Sequence, residues 1–75
     1  MALTRGECLL RSIRINKKLT QDQLSEKVYK KTGIKMSAAM ISLFETSKRP
    51  MSPLQMRAMC ITLKCKESQL YNWKL

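Results

Sequence analysis

A chain of 75 residues has room for one domain with a small core. Its apolar fraction of 44% excludes a disordered chain, and it contains no apolar run as long as a signal or membrane-spanning segment. Fifteen Lys+Arg against five Asp+Glu leave a net charge of +10, which favours polyanionic partners, nucleic acid ahead of anionic lipid.

Sustained period-two alternation is absent, as are Asn-Gly and Asp-Gly hairpin turns, so the elements read as helices. In "LTRGECLLRSIRINKK", Thr4 and Glu7 have capping-box spacing, Leu9, Leu10 and Ile13 form an apolar stripe, and Lys17 and Lys18 suit the C-terminal end. In "LTQDQLSEKVYKKTG", Thr20 is the expected N-cap with Gln23 at the third position. Leu24 and Val28 face the core, and Leu19 staples onto Leu24. This helix is expected to run to Lys31, with Gly33 just past its end and Ile34 and Met36 packing inward.

Ser37 is expected to cap a short third helix, "SAAMISLFE". Ile41 and Phe44 fall on one side, and Ala38, Ala39, Ser42 and Leu43 fall on the other. The loop "TSKRPMSP" follows. A fourth helix is expected after Ser52, with Pro53 at its first position and Met56, Met59, Cys60 and Leu63 buried. "KESQLYNWKL" suggests a short fifth helix carrying Leu70, Tyr71 and Trp73, with Tyr71, Trp73 and Leu75 placed to close the core or to form a dimer seam. The expectation is one all-α domain of four to five helices over residues 1–75, with an extended second helix.

Cys8, Cys60 and Cys65 make an odd count, no C-x-x-C pair occurs and histidine is absent. A zinc site and a secreted disulfide framework are therefore not expected. Cys60 and Cys65 read as small core residues, with a redox pair as the alternative. No cofactor is expected. Without histidine, a carboxylate cluster or a glycine-rich phosphate loop, neither is an enzyme. The expected setting is the cytoplasm.

"LTQDQLSEKV", "SAAMISLFETSKRP" and "LKCKESQLY", in this order and spacing, resemble the Cro/C1-type helix-turn-helix family, the phage repressor-like DNA-binding domains with the lambda-repressor-like fold. The resemblance covers Leu9 to Tyr71. It implies an ion pair between Arg14 and Glu45, joining the first helix to the third. It also implies that Gln21 contacts a DNA phosphate and braces the third helix, and that Lys48 and Arg49 grip the backbone, with Lys17, Lys18 and Lys35 adding to the field. Most single lysines in so basic a chain remain ordinary solvated charges.

The chain departs from that pattern in three places. "YKKTGIKM" makes the link between the second and third helices long, and a similar extension occurs in repressor domains of lactococcal temperate phages. Ser47 replaces the expected glycine. The would-be reading face holds Ala38, Ala39, Ser42 and Leu43, none of which makes a bidentate bond to a base. Such a bond is worth about 1–3 kcal/mol of discrimination. Alanine and leucine can still touch thymine methyls.

Two functions therefore stand as expectations. The first is a transcriptional regulator of a phage lysis–lysogeny switch. It would act on double-stranded operator DNA as a homodimer or jointly with a repressor, reading methyls and DNA shape. The second is an antirepressor similar to lactococcal modulators of repression. It would bind the phage repressor in a hetero-complex through its small apolar face of Ala38, Ala39 and Leu43, edged by Met40. A single exposed leucine also needs no function at all.

Overall fold

Five helices follow one another among the described residues: α1 (Leu10–Asn16), α2 (Gln21–Thr32), α3 (Ala38–Glu45), α4 (Pro53–Leu63) and α5 (Glu67–Leu70). The computed structural model describes residues 6–73 and contains no strand there. A single isolated antiparallel bridge joins Cys8 to Tyr71. The expected all-α architecture is present, with α2 packed against both α3 and α4.

Side-chain caps set three of the helix starts. Thr20 Oγ1 accepts the Gln23 N–H at 3.1 Å, and Gln23 Oε1 accepts the Thr20 N–H at 2.9 Å. Ser52 and Gln55 repeat this box at the head of α4, with Pro53 at the first helical position. Ser37 Oγ accepts the Met40 N–H at 3.1 Å. Each cap satisfies a backbone donor that the first turn leaves unpaired, at about 1 kcal/mol.

The extension of α2 carries one residue beyond the expected Lys31. Thr32 donates its hydroxyl to the Val28 carbonyl at 2.8 Å, and Gly33 then turns left-handed at φ 74°. The Ser25 hydroxyl donates to the Met36 carbonyl and draws the linker back along α2. Met36 is thereby buried, and Ile34 packs against the core.

The core gathers Leu10, Leu24, Val28, Ile41, Phe44, Met59, Leu63 and Leu70. On α4, Met56 is only half-buried, and Ala58 and Thr62 take buried places beside Met59, Cys60 and Leu63. Thr62 can lie there because its hydroxyl donates to the Ala58 carbonyl at 2.9 Å. Met51, between the two prolines of the expected loop, is buried as well.

Both ends differ from the sequence reading. α1 begins at Leu10, and its N-cap, Leu9, makes no side-chain cap. Thr4 lies outside the described residues. Glu7 precedes the helix, because its segment pairs with the other end of the chain: Leu9 N–H donates to Leu70 O at 2.7 Å and Asn72 N–H to Glu7 O at 2.9 Å. The fifth helix stops at Leu70, and Tyr71 leaves it in extended conformation to complete this pairing.

Tyr71 is buried, and its hydroxyl oxygen accepts the Met51 N–H at 3.2 Å, so it closes the core. Trp73 stands edge-on to Tyr71 with ring centroids 5.5 Å apart, and its indole donates to the Glu67 carbonyl at 3.1 Å. Leu75 lies outside the described residues. Cys8 and Cys60 are buried and Cys65 half-buried. Burial pushes the Cys60 thiol up to about 12 and raises that of Cys65. No helix among the described residues is long and apolar enough to cross a membrane.

Candidate nucleic-acid or partner interface

Ile41 and Phe44 are fully buried and anchor α3 from below. Its C-terminal end is held by a charged clamp. Arg14 Nε donates to Glu45 Oε2 at 2.6 Å and Arg14 Nη2 to Glu45 Oε1 at 3.3 Å. Arg14 Nη1 donates to the Leu19 carbonyl at 2.7 Å. Gln21 Nε2 donates to Glu45 Oε1 at 3.0 Å. The side chains of Arg14 and Glu45 are only 12% and 3% exposed, so α1, the head of α2 and the end of α3 share one nearly dry polar junction.

The ion pair expected between Arg14 and Glu45 is thus present. Gln21 occupies the first position of α2, and its amide nitrogen turns inward onto Glu45, bracing the end of α3. One donor remains on that nitrogen, and the side-chain oxygen is an acceptor.

The outer side of α3 divides into two pairs. Ala39 and Leu43 are exposed, Leu43 at 39%, while Ala38 and Ser42 are half-buried. Met40 is also half-buried and receives the Gln55 side-chain N–H at 3.7 Å. Leu43, with Ala39 one turn before it, forms a small, smooth apolar strip carrying no side-chain donor.

The loop after α3 is built by backbone bonds. The N–H groups of Lys48 and Arg49 both donate to the Leu43 carbonyl, at 3.0 and 3.2 Å, leaving both basic side chains exposed. Ser47 takes the left-handed conformation, φ 59°, that a glycine would hold without strain. Its hydroxyl accepts the Cys8 N–H at 3.2 Å, a bond glycine cannot make.

Seven of the expected contact residues therefore lie on one continuous stretch: Ser37, Ala38, Ala39, Ser42 and Leu43, then Lys48 and Arg49. Gln21 joins them through Glu45. The sequence reading did not include the Leu19 carbonyl or the Ser47 hydroxyl, since both act through folded contacts with no local pattern. No cluster of His, Cys, Asp or Glu among the described residues can hold a metal ion. Compared with protein-family models, curated proteins and solved structures, the chain matches none.

Proposed function

We propose that this protein is a phage-type transcriptional regulator of a lysis–lysogeny switch, with α2 and α3 acting as a Cro/C1-type helix-turn-helix on operator DNA, alone or jointly with a repressor. The observation that carries this reading is the Arg14–Glu45–Gln21 junction. It fixes α3 against α1 and α2 and leaves its outer side open beside the exposed Lys48 and Arg49. A net charge of +10 supports a polyanion as partner.

In this reading Ser37, Lys48 and Arg49, with the remaining donor of Gln21, hold phosphates. Ala38, Ala39, Ser42 and Leu43 face the major groove and read thymine methyls and DNA shape.

A second reading is favoured by the exposed Leu43 beside Ala39. The same face, lacking bidentate donors, would suit the surface of a related repressor, making the chain an antirepressor that blocks or alters repressor binding to DNA.

A gel shift at two salt concentrations, with and without a Cro/C1-type phage repressor, tests both. Tight, sequence-specific binding by the protein alone, weakening steeply with salt, supports the operator reading and eliminates a pure antirepressor. No binding alone, together with a stable complex with that repressor, eliminates a classical repressor and supports the antirepressor.

A further inference from the structure

A second apolar surface lies away from these residues. The C-terminal end of α2, the linker after it and one side of α4 enclose a groove of about 250 Å³, lined by Thr32, Ile34, Leu54, Ala58 and Ile61. Leu54 and Ile61 are 64% and 49% exposed. Leu54, Ala58 and Ile61 stand at i, i+4 and i+7 and so form one stripe along α4. The opposite side of α4, with Met59, Cys60 and Leu63, is already committed to the core. Ala58, at the floor of the groove, belongs to the core, whereas Leu54 and Ile61 beside it do not.

Charge indicates what would cover it. The two ionisable residues lining the groove, Lys31 and Arg57, are both basic. Arg57 reaches Glu67 at 3.6 Å, but both side chains are well exposed, so an incoming carboxylate can share that guanidinium. A second copy would bring another basic rim and a net charge of +10 against the first.

We propose that this groove docks an amphipathic helical segment of a partner protein, with aliphatic side chains against Leu54, Ile34 and Ile61 and acidic side chains over Lys31 and Arg57. None of its lining residues belongs to the α3 face, so the two surfaces can be occupied independently.

The probes are two short synthetic amphipathic peptides with leucine at i, i+4 and i+7, one flanked by glutamate and the other by lysine. They are titrated into the isotope-labelled full chain while amide chemical shifts are followed. The acidic peptide should move the amides of Ile34, Leu54, Arg57 and Ile61 and leave those of Ala39 and Leu43 in place. The basic peptide should move none of these amides. Arg57→Glu should weaken binding of the acidic peptide about tenfold, and Ile61→Ser should abolish saturable binding. Arg57 is exposed, so its variant keeps the test valid if Ile61→Ser unfolds. Equal binding of both peptides, no shift at the groove, or concentration-dependent self-association through these residues would overturn the proposal, the last in favour of a second copy.

Discussion

The Arg14 guanidinium meets the Glu45 carboxylate at 2.6 Å where both are nearly shut off from water. A charge pair in that setting adds little net stability over a well-packed apolar pair, but losing one member strands the other. Glu45→Ala should cost about 3–5 kcal/mol, measured by urea unfolding. That is a large share for a domain whose stability is on the order of 0.1 kcal/mol per residue. Glu45→Gln should cost less, because its carbonyl can still accept from Gln21. Equal losses would show that a neutral acceptor at this position does not hold the junction.

Leu43→Glu separates surface from core. Leu43 is exposed, so its thermal midpoint should move little, within the roughly 0.5 kcal/mol usual for surface substitutions. Binding to DNA or to a repressor should collapse, since the new carboxylate would repel phosphates or sit unpaired in an apolar contact. A collapsed melt with binding retained would assign Leu43 to the core.

Lys64 closes α4 in the left-handed conformation, φ 56°, where a side chain costs about 1 kcal/mol relative to glycine. Lys64→Gly should raise the melting temperature by about 4–8 °C, the scale expected for 1 kcal/mol in a domain of this size. A lower midpoint would mean that the lysine side chain itself contributes more than its backbone strain.

A Cβ added to Gly6 would stand 2.0 Å from the Asn72 carbonyl oxygen, so one backbone must move. Gly6→Ala should therefore disturb the Asn72-to-Glu7 hydrogen bond and the packing near Trp73, the chain's one tryptophan. The expected signs are a changed fluorescence maximum and a stability loss of about 1–3 kcal/mol. Unchanged fluorescence and stability would show that the pairing can shift without cost.

The Cys60 thiol, raised by burial from 9.0 to about 12, makes stability pH-dependent. The unfolded thiol ionises first, so the folded state binds more protons in the window from 9.0 to about 12, and stability falls as pH rises through it. The measurement is the difference between the wild type and Cys60→Ala, which isolates this thiol. The wild type should lose more stability across that window. Parallel curves would contradict a neutral, buried thiol.

Helix starts were legible wherever a hydroxyl stands three residues before a suitable partner, as at Thr20 and Ser52. Local spacing alone decides such a cap. Thr4 and Glu7 offer the same spacing, yet Glu7 ends outside a helix because its backbone pairs with Asn72, far along the chain. Tyr71 looked helical and is extended for the same reason. The Arg14–Glu45 pair came from family resemblance, not from periodicity. The bracing role of Gln21 also comes from that resemblance, whereas the atom it braces through depends on where Glu45 arrives. On α4, the buried side was largely readable, whereas the second stripe of Leu54 and Ile61 emerges only once the core is known to use the other side.

The Cys8–Tyr71 bridge also determines how the domain would respond to pulling. The two segments it joins run antiparallel, with residues 6 and 72 side by side at the open end. A load applied through both ends would thus act across the bridge, breaking hydrogen bonds singly in an unzipping geometry instead of shearing them together. Tyr71 would then be drawn away from Met51, opening the core beside α5 while the Arg14–Glu45 junction still held. The end-to-end pairing would thus be the first part to yield under load, ahead of the charged junction.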